Sequence, residues 1–239
     1  MECNGALPCP LTYRGKIVWS VLILRCHQRK LSQKTTFKRV ECGSLGSASL
    51  DTRIVVVEQT GSAAFNRAKL FNIGFVEALK LDTFDCFIFH DVDLLPLNDY
   101  NTYACTHNPR HMYSAVNTFR YNLPYRTIFG GAVAMQRVHF KKVNGFSNNF
   151  YGWGAEDDDM YNRITAAGLT FVRFDPRVAT YFMLTHQSSR SAPASHGHRQ
   201  PLEQQGDEAA ARHDGLSTLS YQVIDHHTKK LFTRFLVSC

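Results

Sequence analysis

No stretch of this sequence approaches the roughly 18 consecutive apolar residues that span a bilayer. The longest run, Ile17–Leu24 (IVWSVLIL), is bounded by Lys16 and Arg25, and its length suits a buried strand better than an anchor. RCHQRK, which follows that run, offers no small-residue cleavage site, so a signal peptide is not expected either. CxxC spacing is absent among the seven cysteines, at 3, 9, 26, 42, 86, 105 and 239, which argues against a zinc site. Their odd number leaves at least one thiol unpaired or intermolecular in an oxidising compartment. An excess of either sign is all but absent beyond the first 50 residues: the net charge is +7, and eight Lys/Arg in residues 1–50 face only Glu2 and Glu41. That basic excess lies where the structural pattern is weakest rather than on an amphipathic face, so nucleic-acid binding is not expected.

What is present reads as a folded chain. With 44% hydrophobic and 20% charged residues over 239, one large domain or two small ones can bury a sizeable core. Residues 1–53 read as an atypical basic segment, irregular from 25 on, and the chain sharpens at Ile54–Val57, a β-branched run expected of a strand buried on both faces. AFNRAKLFNIGFVEALK then places Ala64, Ala68, Phe71, Phe75 and Leu79 at helical spacing, and CFIFH is a second short apolar run. Strand, helix and strand in that order predict a βαβ unit in a mostly parallel central sheet, with ligands at the carboxyl ends of its strands. Downstream, FGGAVAMQRVHF reads as strand then helix, EDDDMYNRITAAG as a helix stopped by Gly168, and TFVRFDP as another strand. Residues 187–212 form a polar loop, and the end of the chain holds two strands.

Two acidic groups demand explanation. Asp91 and Asp93 stop the CFIFH run, and a buried carboxylate needs a cationic partner, either a metal ion or a salt bridge; strand-end aspartates also cap turns. Glu156–Asp159 open a helix, where the dipole favours acids. Four in a row exceed that need, and they cannot all serve one face. Beside Gly152, Trp153 and Gly154 they suit either a solvated helix start or a site holding a sugar ring between an indole and carboxylates. Met183 and His186, three apart, fit a ligand pair or a core methionine and a surface histidine. Asn66 and Arg67 fit a phosphate site at a helix start or plain surface residues.

In their joint order, FNRAKLFNIGF, DVDLLPLND, LPYRTIFGGAVAM, VNGFSNNFYGWGAEDDDMYNRI, MLTH and DGLSTLSYQV resemble the β-1,4-galactosyltransferase family over roughly Ile54–Val223. The resemblance implies an α/β, Rossmann-like (GT-A type) nucleotide-sugar transferase fold in a single catalytic domain, here 54–239. It implies Mn²⁺ on Asp93, Met183 and His186, and Asp157 as catalytic base. Donor contacts would come from Phe65, Arg67, Asp91, Asp93, Ile128 and Trp153, and acceptor contacts from Phe119, Tyr125, Trp153, Glu156, Asp157 and Asp158. A Cys86–Cys105 disulfide is implied as well.

The implied reaction is inverting transfer from a UDP-sugar to the 4-hydroxyl of a terminal N-acetylglucosamine. Family members with Tyr at the place of Ile128 use UDP-galactose, whereas invertebrate relatives with Ile or Leu look like N-acetylgalactosaminyltransferases, so UDP-GalNAc is the expected donor and UDP-Gal the alternative. The implied location is the Golgi lumen as a type II membrane protein, through an anchor that these residues do not contain. Several positions depart from the family: Thr118 stands for a lysine, Ser189 for an acid, and the first core strand with its Arg-rich uridine-binding turn has no alignable counterpart upstream of Ile54. These departures predict a missing central strand. They also keep a second reading open, a catalytically impaired pseudoenzyme or truncated sugar- or nucleotide-binding product.

Overall fold

The computed structural model describes residues 52–61, 63–152, 154–184 and 213–239, together with the backbone of 19–25. A seven-stranded sheet organises the chain. Its strands are β1 (Trp19–Arg25), β2 (Thr52–Gln59), β3 (Cys86–His90), β5 (Arg110–His111), β7 (Ala132–Gln136), β9 (Gln222–Thr228) and β10 (Thr233–Ser238), in the order β5-β7-β3-β1-β2-β10-β9. Beside it stands a three-stranded sheet, β4 (Leu94–Pro96), β8 (Thr180–Met183) and β6 (Ala115–Val116), in the order β4-β8-β6. Helices α1 (Arg67–Leu81), α2 (Arg137–Lys142) and α3 (Glu156–Ala166) complete the α/β domain. Among the described residues no helix is long and apolar enough to cross a membrane.

Three expectations need correction. The main sheet is mixed and largely antiparallel: β2 and β3 run in the same direction, but β1 lies between them and pairs antiparallel with both, and only β2–β10 is a parallel pair. Strand–helix–strand patterning fixes the relative direction of its two strands and leaves open which strand is inserted between them. The same insertion answers the missing central strand, because Trp19–Arg25 fills that place and a boundary at residue 53 does not divide the sheet. Finally, TFVRFDP makes only a single bridge, Val172 to Arg110; Pro176 offers no backbone donor there. Residues 26–51 and the polar stretch 187–212 lie outside the described residues.

Strand alternation creates two cores. Along β3, Phe87 and Phe89 enter one apolar cluster while Cys86 and Ile88 enter the other; along β7, Val133 and Met135 oppose Ala132 and Ala134 in the same way. The first cluster packs the sheet against α1 through Phe71, Phe75, Phe140 and Phe146. The second holds Leu94, Tyr113, Ile128 and Tyr181. Cys86 and Cys105 are disulfide-bonded, their Cα atoms 5.5 Å apart, which ties β3 to the loop before β5.

Polar side chains then fix the route into α3. Asn66 caps α1 by accepting the Lys69 N–H at 2.8 Å and donates to the Asn148 carbonyl at 2.7 Å. Asn72, buried on α1, accepts the Phe146 N–H and donates to its carbonyl. Asn66 therefore caps α1 and clamps it to the segment before α3. The far end of α3 closes in a Schellman motif, with Gly168 at φ 67° and N–H donation from Leu169 to Ile164 and from Gly168 to Thr165.

Candidate functional site

The carboxyl end of β3, the start of α1, the start of β7 and the start of α3 converge. Arg67 is the common partner: its Nε donates to Asp91 at 2.6 Å and its Nη1 to Glu156 at 3.2 Å, while the guanidinium lies over the Phe71 ring at 4.6 Å. Burial opposes its charge, but Asp91, Glu156 and Asp157 together raise its pKa above the ordinary value. The salt-bridge reading of Asp91 is thus realised. Asp91 is tied down further where its N–H donates to the Gly131 carbonyl at 2.8 Å.

The four acids of α3 serve four different surroundings. Glu156 meets Arg67, Asp158 lies near Tyr125, and Asp159 pairs with Arg163 at 2.6 Å. Asp157 instead rests on Gly130, where a Cβ would lie 2.6 Å from its Oδ2. Burial, then Glu156, pushes the Asp157 carboxyl up to about 6, with Arg67 opposing. That value suits proton exchange near neutrality. Ala155, the residue before α3, adopts a left-handed φ of 76° between Gly154 and the acids.

A second group lies where β4 meets β8. Asp93 is buried, Leu94 pairs with Met183, and the Leu184 N–H donates to the Asp93 carbonyl at 2.8 Å. This register brings the Asp93 and Met183 positions together. The Met183 sulfur accepts from Thr118 Oγ1 at 3.7 Å. His186 and Trp153 lie outside the described residues, and among the described residues no three His, Cys, Asp or Glu form a metal-binding group.

The remaining expected positions spread around this centre. Phe65 is half-buried against the first core and its carbonyl accepts the Gly152 N–H at 2.7 Å, linking the start of α1 to the glycine loop. Ile128 is buried in the second core beside Leu94 and Tyr113. Tyr125 and Phe119 are exposed, the latter on a 3₁₀ turn (Asn117–Phe119). Tyr113, which the sequence reading passed over, sits where burial, then Asp157 and Asp91, raise its phenol pKa. His111 and Arg173 were also missed; they hydrogen-bond each other at 2.6 Å behind Gly130. No local pattern marks these residues, since long-range pairing places them there: β5 with β7 for His111, and the bridge from Arg110 to Val172 for Arg173.

Family models match most of this region: one described as the N-terminal region of glycosyl transferase group 7 over residues 15–106, and one described as the N-terminal domain of galactosyltransferase over 110–187. β-1,4-Galactosyltransferase 4 of Cricetulus griseus is 39% identical over 222 residues, covering 93% of this chain and 64% of that protein. Human β-1,4-galactosyltransferase 1 is 41% identical over 193 residues, covering 79% of this chain and 47% of that protein. The chain spans about half the length of the curated relatives it matches. A crystal structure of a mutant Drosophila β-1,4-galactosyltransferase 7 in complex with manganese, UDP-Gal and xylobiose superposes with a TM-score of 0.59 at 28% identity, covering 78% of this chain and 79% of that one.

Proposed function

Because the chain belongs to the β-1,4-galactosyltransferase family, we propose that it is an inverting, metal-dependent hexosyltransferase. It moves galactose or N-acetylgalactosamine from a UDP-sugar to the 4-hydroxyl of a terminal N-acetylglucosamine. The observation that carries this reading is the pairing of Arg67 with Asp91 and Glu156 beside an Asp157 carboxyl whose pKa is lifted to about 6. Such a group is ionised at pH 7 yet basic enough to take a hydroxyl proton.

The site's own residues divide the work. Arg67, already held at the start of α1, offers positive charge to the leaving diphosphate, which needs no general acid because its charge spreads over phosphate oxygens. Asp157 removes the proton of the acceptor hydroxyl as that oxygen attacks the anomeric carbon and the bond to UDP breaks from the opposite face. Tyr125, Asp158 and Phe119 flank the acceptor. By the resemblance, Trp153 would contribute to covering the donor and excluding water that would hydrolyse it.

Asp93 and Met183 would hold Mn²⁺ together with His186, and the donor set fits: a buried aspartate just before β4 and a thioether on β8, whose Met183 pairs with the neighbouring Leu94, would join an imidazole in a mixed set. When bound, the ion would supply positive charge that offsets the negative charge gathering on the leaving diphosphate. Isothermal titration of UDP with and without Mn²⁺ tests this assignment. Metal-dependent binding that His186→Ala abolishes without lowering the melting temperature supports it. Binding indifferent to metal favours the second reading, a catalytically impaired sugar- or nucleotide-binding protein, to which Thr118 and Ser189 point.

For the donor, Ile128 is buried in the second core, and UDP-GalNAc rests on the resemblance: an apolar Ile in place of a Tyr leaves room for an acetamido methyl, a preference over UDP-Gal of roughly 1–3 kcal/mol. Equal concentrations of the two donors in one assay decide it. A product dominated by galactose, or an unchanged ratio in Ile128→Tyr, removes the preference. The Cys86–Cys105 disulfide supports an oxidising lumen, by family resemblance the Golgi.

A further inference from the structure

We infer that His111, held by Arg173, is a positioning residue that fixes the Asp157 carboxylate through the Gly130 peptide; the inference rests on Asp157 acting as the base. His111 lies on β5 and is fully buried, in a place the proposed chemistry does not use. Arg173 Nε donates to its Nδ1 at 2.6 Å, so the ring proton resides on Nε2, which donates to the Gly130 carbonyl at 3.0 Å. Arg173 Nη2 also donates to the Ile128 carbonyl. One guanidinium–imidazole pair therefore fixes the carbonyls on either side of Phe129, itself completely buried.

The other side of Gly130 is where this matters. A Cβ there would lie 2.6 Å from Asp157 Oδ2, so the carboxylate rests directly on the backbone that His111 holds. Shifting that peptide shifts the carboxylate, and misplacement of a reacting group by about 1 Å costs on the order of 10²-fold in rate. The arrangement is also insensitive to pH, because burial, then the charge of Arg173, pushes the His111 pKa down to about 3 and keeps one tautomer in place. A histidine that merely fills the core has no need of both ring nitrogens. Here each has one partner, and both partners lead to the wall of the site.

Two substitutions test the inference. His111→Phe keeps the ring volume and removes both nitrogens; His111→Gln restores a donor near the Nε2 position. The expected result is a kcat about 10- to 100-fold lower in His111→Phe, a donor KM and UDP affinity within about twofold of wild type, and recovery of most of the loss in His111→Gln. A second readout does not depend on turnover: carboxyl-detected ¹³C NMR, with the Asp157 signal assigned from its absence in Asp157→Asn. The signal should titrate near pH 6 in the wild type. It should move toward the ordinary carboxylate range in His111→Phe, as a loosened floor admits water beside Glu156, Asp158 and Arg67. Unchanged kcat and unchanged Asp157 titration in a folded His111→Phe overturn the inference, as does equal loss in both variants with the melting temperature falling and KM rising together. Near-normal turnover in Asp157→Asn overturns the base assignment instead, and the carboxyl titration alone then decides whether His111 positions Asp157.

Discussion

Asp91 and Asp157 both feel the Arg67 guanidinium, and the fold treats them differently. Asp91 ends β3 and takes the short bond to Arg67, at 2.6 Å. Asp157 opens α3 with Arg67 engaged elsewhere, Gly130 against its oxygen and like charge on either side in Glu156 and Asp158. One carboxylate is committed to an ion pair; the other is left poised near neutrality. Asp159, two positions on, repeats the first treatment with Arg163. What separates a structural acid from a reactive one here is which cation lies within bonding reach, and the density of acids in the sequence does not tell them apart.

The largest effect that tests this contrast is on turnover. Asp157→Asn keeps the shape but cannot accept the hydroxyl proton, so kcat should fall by about 10²–10⁴ with UDP affinity preserved, as measured by initial rates and calorimetry. The corresponding Asp159→Asn should leave kcat within a few-fold. If both variants lose activity equally, the distinction drawn between these acids is wrong.

Next in size are changes to the frame that both carboxylates share. Replacing Cys86 and Cys105 together by alanine frees a loop of 19 residues' separation and should cost about 3 kcal/mol in chemical denaturation. Mass mapping without reductant should find the two linked in the wild type. Arg67→Met should cost about 2 kcal/mol, below the range for fully buried pairs because Asp91 keeps partial contact with water, and should abolish UDP binding. Intact binding in that variant would restrict Arg67 to a structural role.

The smallest effect is the pH linkage of Asp157. Its folded pKa of about 6 stands above the ordinary 3.8, so the stability it contributes is fully present below pH 4 and is lost as pH rises through 6. Urea unfolding between pH 4 and 7.5 should show Asp157→Asn gaining on the wild type by about 2 kcal/mol across that window. The acid limb of the wild-type rate profile should fall near pH 6. A flat difference between the two proteins would place the Asp157 carboxyl in the ordinary range.

Much of the frame was legible along the chain. The run Ile54–Val57 and CFIFH are strands, the periodic stretch between them is α1, and Asp91 does stand at a strand end. What misled was topology: the insertion of Trp19–Arg25 between those two strands turned an expected parallel sheet into a mixed one. TFVRFDP looked like a strand because its apolar spacing is right, yet it pairs only at Val172, and Arg173 is engaged with His111. Asn66 looked like a ligand residue because caps and anion sites favour the same residue types at a helix start.

The sequence alone determined the local chemistry: which segments have period 2 or 3.6, where helices begin and stop, and which acids are dense enough to need partners. Those properties depend on neighbours a few positions apart and so survive in a one-dimensional reading. Tertiary structure decided how the acids were divided. The Arg67–Asp91–Glu156 group joins residues 24 and 89 positions apart, and Asp157 acquires its character from burial, then Glu156, where it rests on a Gly130 held from behind by His111 and Arg173. Burial and long-range contact set the pKa of a carboxylate, and neither exists until the sheet has closed.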